Sequence, residues 1–369
     1  MSPERVVLVG MGASTPVGRG AWASAAAVRA GISGFAQHPF MIDTAGEPMR
    51  VAFASWIDIG MQGVDRFEAL LMPAIEEALA VLKTPPASAS RWALALGLPS
   101  ARPGLPEKLV DELLARVTRR HAGVFGGVAA FQTGHSAGLR GVQAAFNRLS
   151  QGKLDACLVA GVDSWLEPET LEWLEANDQL HGAGPLNNAW GFIPGEGAGA
   201  LLLMRESEAR ALSLAPLGTV LGVGVATEAK RIKTETVCIG EGLTEAFRGA
   251  LASMPNGAKV TDIYCDMNGE PYRADEFGFT ALRTKEYFES ASDFVAPADC
   301  WGDVGAAGGP MHLVLAAAAG QKGYAQGPLA FAWASAEMGE RASVLFACDD
   351  DAVAASATAA KTQAVLAGG

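Results

Sequence analysis

Apolar residues along this chain follow two alternating patterns, short unbroken runs and positions three and four apart, and the alternation predicts strands followed by helices. Val128 to Phe131 reads as a short buried strand. Thr133-Gly134-His135-Ser136-Ala137-Gly138 is a glycine-bounded turn, after which Leu139, Val142, Ala145, Phe146 and Leu149 fall at helical spacing. A side chain at such a turn faces unpaired helical N–H groups and the positive end of the helix dipole, so negative charge is stabilised there.

The same reading covers the rest. Residues 5–18 are a strand and turn, Trp22 to Arg29 a helix closed by Gly31, and His38 to Asp58 loop-like with short extended pieces. Asp65-Arg66-Phe67 opens an amphipathic helix through Leu82, Thr84 to Ser90 is a linker, Trp92 to Leu98 a strand, and Glu107 to Arg120 a charged, exposed helix. Ala156 to Gly161 is a buried strand, Pro168 to Glu175 a short helix, and Asn187 to Gly199 a loop entering the strand Ala200 to Met204. A boundary falls at Ser213 to Leu217. Strands at Val220 to Val225, Asp262 to Asp266, Leu329 to Ala334 and Ser343 to Cys348 then alternate with helices at Gly242 to Met254, Phe277 to Phe288 and Ala306 to Gly320. Two successive alternating sets imply a layered α/β protein with an internal pseudo-repeat, one half over 1–215 and the other over 216–369.

Composition narrows the class. Half of the 369 residues are apolar and 18% charged, which demands extensive burial, yet no apolar run is long enough to span a bilayer. Arg5 and Val6 to Val9 mimic a signal-peptide start, but Gly10, Gly12, Pro16 and Gly18 break it, so the stretch reads as a first strand and a cytoplasmic protein is expected. A net charge of −12 with no basic cluster argues against nucleic acid as a partner. The five cysteines are odd in number and lack a Cys-x-x-Cys pair, and the histidines lack ligand spacing, so neither a disulfide frame nor a metal site is expected. Gly10-Met11-Gly12 misses the third glycine of a dinucleotide fingerprint, and no cofactor is expected.

Three stretches carry a family resemblance: Val-Leu-Val-Gly-Met-Gly-Ala-Ser-Thr-Pro-Val-Gly at the N-terminus, Asp65-Arg66-Phe67 with its helix, and Gly191-Phe192-Ile193-Pro194-Gly195-Glu196-Gly197-Ala198-Gly199, preceded by Ala160-Gly161-Val162-Asp163-Ser164. They resemble the β-ketoacyl synthases of the thiolase superfamily. The resemblance implies a five-layered α/β/α/β/α fold of two similar halves, a homodimer or a heterodimer with a related ketosynthase, and an acyl-carrier-protein or coenzyme A thioester as partner. It also implies a cysteine, two histidines and a lysine, and these are replaced. His135 stands at the cysteine position, Asn268 at the first histidine and Asp303 at the second; Asp299-Cys300-Trp301 occupies the lysine region, and Ala336-Glu337-Met338-Gly339 the Gly-Phe-Gly-Gly loop.

Decarboxylative condensation needs a thiolate to hold one acyl group and donors to stabilise the enolate of the other, so ordinary chain elongation is not expected. The replacements suggest a rebuilt acyltransferase or thioesterase-type site. His135, held neutral by the helix dipole, would be oriented by Asp303, which could also stabilise its charged form, with Asn268 and the N–H of residue 135 or 339 as oxyanion donors and Ser136 as a possible nucleophile. Around it, Met338, Gly339, Glu270, Tyr272, Arg273 and Lys233 are candidate substrate-binding residues, the last two suiting a carboxylated or phosphopantetheine-borne substrate. Two alternatives stand beside this reading. One is a noncatalytic partner resembling chain-length factors, with Asp303 as a helix cap. The other is a serine hydrolase built on the Gly-x-Ser-x-Gly of Gly134 to Gly138, with His312 as base.

Overall fold

The computed structural model describes residues 4–83 and 89–348. The linker read at Thr84 to Ser90 falls largely on 84–88, outside the described residues. In chain order the elements are β1 (Val6–Ser14), α1 (Ala21–Arg29), β2 (Phe35–Ile42), β3 (Pro48–Ala52), α2 (Gly63–Leu79), β4 (Trp92–Leu98), α3 (Leu109–Arg120), β5 (Gly127–Gln132), α4 (Ala137–Ser150), β6 (Ala156–Ser164), α5 (Pro168–Ala176) and β7 (Glu196–Arg205). They continue with α6 (Glu206–Ala211), β8 (Gly218–Thr227), α7 (Glu241–Leu251), β9 (Asp262–Cys265), α8 (Pro271–Thr284), α9 (Ala298–Trp301), α10 (Gly308–Gln321), β10 (Leu329–Ser335) and β11 (Glu340–Ala347).

Nine strands form one continuous sheet in the order β5-β4-β6-β7-β1-β8-β11-β10-β9. The seam is the short antiparallel pairing of Val6–Leu8 in β1 with Gly218–Val220 in β8. On either side of it the order repeats: β1, β7, β6, β4 and β5 on one side, and β8, β11, β10 and β9 on the other. Where β5 would recur, two isolated parallel bridges, Val260 with Phe288 and Tyr264 with Val295, stand in its place among the described residues. Helices α4 and α10 pack between the two halves of the folded sheet, with α2 and α3 outside one half and α7 and α8 outside the other. That is the five-layered arrangement the resemblance implies.

Burial explains why α10 is apolar all round: Gly308 through Ala319 are all buried, which requires protein on every side of the helix. The middle layer is tight because glycines line it. A Cβ on Gly138 would lie 2.2 Å from Cδ of Pro310, and one on Gly309 would lie 2.9 Å from the N of Leu139. The α4 and α10 backbones therefore approach where neither presents a side chain.

Two motifs that carried the resemblance meet in the core. Arg66 donates from Nε to Oε2 of Glu196 at 2.6 Å and from Nη2 to Oε1 at 2.8 Å, both residues fully buried. Ser164 Oγ and the N–H of Ala54 complete the carboxylate, while Nη1 of Arg66 reaches the carbonyls of Asp58 and Met61. A buried bidentate pair with its remaining hydrogen-bonding sites satisfied fixes how α2 sits on β7.

Several expectations need correction. The run Val128 to Phe131 is not a buried strand: β5 ends the sheet, and all its residues are exposed except half-buried Phe131. The stretch His38 to Asp58 contains a two-stranded ribbon, β2 with β3. The charged helix α3 buries Leu109, Leu113 and Val117 against its neighbours. Helix α8 begins six residues earlier than its apolar spacing suggested, because Pro271 supplies a first-turn residue with its φ already helical.

Candidate functional site

Both central helices begin alike. Gly134-His135-Ser136 and Gly305-Ala306-Ala307 are single 3₁₀ turns, each entered through a glycine with positive φ (56° and 46°), that run into α4 and α10. A Cβ on Gly305 would collide with Oδ2 of Asp163 at 2.1 Å; that oxygen instead accepts the N–H of Ala306 at 3.0 Å. Asp163 is held in turn by Nη2 of Arg102 at 2.6 Å. The two turns thereby bring His135 and Asp303 together.

Asp303 is the hub. His135 Nε2 lies 3.0 and 2.9 Å from its two oxygens. Trp165 Nε1 donates to Oδ1 at 3.2 Å, the N–H of Gly305 to Oδ1 at 2.8 Å, and Asn268 Nδ2 to Oδ2 at 2.7 Å. With both carboxylate oxygens so close, Nε2 carries a proton, and its lone pair is not available to act as a base. Burial favours the neutral acid of Asp303, but the charge and hydrogen bond of His135, with Arg273 and Asn268, outweigh it and hold this carboxyl far below the usual range. Burial likewise pulls the His135 imidazole toward neutrality; Asp303, with Asp266, overcomes both that and Arg273 and raises its pKa above the ordinary value. The carboxylate in contact thus favours the charged imidazole that the helix dipole alone would disfavour.

The network extends outward. Arg273, fully buried, donates from Nη1 to Oδ2 of Asp266 at 2.9 Å and to the carbonyl of Ser335 at 3.0 Å, and from Nε to Oε2 of Glu270 at 3.3 Å. Its Nη2 lies 3.3 Å from Nε2 of His135. Tyr272 donates its hydroxyl to Glu270, and Lys233 bridges Glu270 at 3.0 Å and Glu337. Glu270 stays ionised despite burial because Arg273 and Lys233 flank it. Three buried carboxylates, Asp303, Asp266 and Glu270, thus face three cations when His135 is protonated.

Of the residues singled out from sequence, His135, Asp303, Asn268, Glu270, Tyr272, Arg273 and Lys233 converge. Ser136 does not join them: its Oγ donates to the carbonyl of Thr133 at 3.2 Å and contacts the Thr133 hydroxyl at 3.1 Å. The N–H of Gly339 donates to Ala336, so it is not a ready oxyanion donor, and Met338 is 59% exposed. Arg273 and Lys233, read as substrate contacts, hold carboxylates of the protein itself. Trp165 and Asp266 were missed; Asp266 alone had a sequence signal, as an acidic residue at the end of a strand entering the Asn268 turn.

Space beside His135 is small. A cavity of about 20 Å³ is bounded by His135, Cys265, Asp266, Asp303, Gly308 and His312, room for a single water. Burial and the neighbouring His135 charge push the pKa of His312 down to about 3, keeping it neutral. A cleft of about 220 Å³ reaches Asn268 and Asp303 from the side of Phe35, His181 and Ile193. Elsewhere, Glu228, Cys238 and Glu276 bring possible metal-ligand atoms within 4.8 Å of one another. Each carboxylate there already has a partner: Glu228 accepts the N–H of Gly242 at the start of α7 at 2.7 Å, and Glu276 accepts Nε of Arg341 at 2.6 Å. That donor set fits an ion-paired helix cap better than a metal centre.

The family model for the β-ketoacyl synthase N-terminal domain matches residues 3–209, more than half of the 369-residue chain. The chain belongs to the β-ketoacyl synthase family. Among curated relatives, a putative polyketide β-ketoacyl synthase 1 of Streptomyces cyaneus is 31% identical over 121 residues, spanning 30% of this chain and 29% of that protein. Two solved structures share the fold across nearly the whole chain. A type II polyketide ketosynthase in complex with its acyl-carrier protein, AntDE:AntF, bound to the hexaketide, superposes with a TM-score of 0.77 at 16% identity, covering 94% of this chain and 100% of that one. The ishigamide ketosynthase/chain length factor superposes with a TM-score of 0.67 at 20% identity, covering 93% and 99%. This fold sets aside the monomeric serine-hydrolase reading. Among the described residues, no helix is long and apolar enough to cross a membrane.

Proposed function

We propose that this chain is a noncondensing member of its family that acts as a partner subunit, pairing with a cysteine-bearing ketosynthase as chain-length factors do. One observation carries the reading. At the helix start where the family resemblance places a nucleophile, His135 is ion-paired at 2.9 Å to a carboxylate that three further donors hold, and the cavity it lines is about 20 Å³, the 220 Å³ cleft reaching Asn268 and Asp303 but not His135. An acyl group needs many times that volume, and Arg273, which would have to move, is anchored at Asp266, Ser335 and Glu270. The free edge of β5 supplies a surface for pairing. Among the structural neighbours is a ketosynthase/chain length factor.

The test is co-expression with a cysteine-bearing ketosynthase from the same host. A stable one-to-one complex whose condensing activity survives His135→Ala is expected. Recovery of this chain only as a homodimer, with no complex, would remove the partner role.

The short His135–Asp303 contact also supports a second reading, transfer or hydrolysis of an acyl group carried on an acyl carrier protein or coenzyme A. That reading requires the Arg273 network to open on binding. Intact-mass measurement of acyl-thioester cleavage, present in wild type and absent in His135→Ala, would establish it and displace the partner role.

A further inference from the structure

A groove of about 550 Å³ lies between α1 and the end of α10 and shares no lining residue with the His135 cavity. Its floor is alanine from both helices, which leaves a flat apolar surface. Its walls are two cation–aromatic pairs: Arg29 Cζ lies 4.1 Å from the ring centre of Tyr324, and Lys322 Nζ lies 4.7 Å from that of Trp22. Trp22 is 41% exposed and presents ring surface to the groove. Neither Arg29 nor Lys322 has a carboxylate partner among the described residues, and no carboxylate lines the groove, in a chain whose net charge is −12.

Arg29 in the last turn of α1 and Lys322 at the C-cap of α10 have no carboxylate partner among the described residues and can turn to an anion, two aromatic rings select a planar ring, and the alanine floor admits both without a steric barrier. The volume falls within the range of roughly 300–1,000 Å³ typical of small-molecule sites. We propose that the α1/α10 groove binds a nucleoside diphosphate, its base against Trp22 and its phosphates on Arg29 and Lys322. Arg29 suits this role because its guanidinium, already lying on Tyr324, offers a flat stacking surface as well as paired donors. The inference goes beyond the proposed function, since it concerns a different surface and does not depend on the partner role.

The experiment is titration of the full chain with ADP, followed by calorimetry and by tryptophan fluorescence. Saturable binding is expected, weakened about tenfold or more in Lys322→Glu, Arg29→Glu and Trp22→Ala, and retained in Trp22→Phe, with unchanged thermal midpoints showing the variants folded. The same diphosphate occurs free and as the nucleotide end of coenzyme A, so coenzyme A is titrated in parallel. Tighter binding of coenzyme A identifies the carrier as the source, and tighter binding of ADP the free nucleotide; either supports the site. The proposal is overturned if ADP fails to saturate by about 1 mM, if pyrophosphate binds as tightly as ADP, or if Trp22→Ala binds as well as wild type.

Discussion

At the scale of single residues, the His135–Asp303 pair makes the sharpest predictions. Asp303→Asn removes the charge that compensates a buried imidazolium while keeping the side-chain volume, and breaking a buried pair from one side costs roughly 3–5 kcal/mol. Urea unfolding checks this; a loss within about 0.5 kcal/mol of wild type, the range of an ordinary surface substitution, would mean the pair is not ionised. The pH dependence has a definite sign. His135 has a raised folded pKa, so its contribution is complete below its unfolded value of about 6.5 and is lost as pH rises through the folded one. Asp303 has a depressed folded pKa, so its contribution is complete above about 3.9 and is lost as pH falls. Wild type should therefore lose stability on the alkaline side, and Asp303→Asn should flatten that limb in unfolding midpoints taken from pH 6 to pH 9. Much of this site was legible in the sequence, because the resemblance aligned His135, Asn268 and Asp303 with positions known to converge. The charge state of His135 was not, because it depends on a carboxylate 168 residues away. Nor was the saturation of Arg273, since a cation beside a pocket and a cation plugging it have the same sequence.

Among elements, the middle layer depends on the approach of α4 and α10. Gly138→Ala places a methyl 2.2 Å from Cδ of Pro310 and 3.2 Å from the carbonyl of Ala306. Pro310 is buried in a helix and cannot swing aside, so the helices must separate, at a cost of roughly 1–3 kcal/mol typical of overpacking. Thermal unfolding should show the loss. Gly278→Ala is the control, because an added Cβ there meets nothing within 4 Å and the position is exposed within α8. Equal midpoints for the two variants would mean that the helix contact is slack. Most elements could be read from apolar spacing, and the double set of strands and helices announced the pseudo-repeat. What spacing could not convey was environment. Val128 to Phe131 has the composition of a core strand, and only the sheet order reveals that it lies at an edge left uncovered by the other described residues. Helix α10 gave the opposite signal: its lack of a polar face follows from a position between two halves of a sheet, and it reads from sequence simply as a helix.

For the whole molecule, the exposed edge of β5 is the surface on which the proposed partner role rests. Strand β5 presents Gly127-Val128-Ala129-Ala130 with every residue exposed, Val128 at 48%, and it carries no Lys, Pro or bulge of the kind that blunts a free edge. Its outward N–H and C=O groups can extend the sheet across two subunits, and its small side chains let the second strand approach closely. If the proposed pairing uses this edge, a homodimer and a heterodimer would compete for one surface, with the tighter partner winning. Val128→Lys combined with Ala130→Lys sets two charges along this edge without touching the core. Expected is a single-chain mass of 38.1 kDa by light scattering in place of a dimer, loss of any ketosynthase complex, and an unfolding free energy within about 0.5 kcal/mol of the isolated wild-type chain. A dimer that persists in the double variant would move the interface elsewhere, and the partner role would then need another surface. If the edge substitution instead abolishes folding, β5 is held by the partner as a condition of stability, and the wild-type chain should prove insoluble when expressed alone.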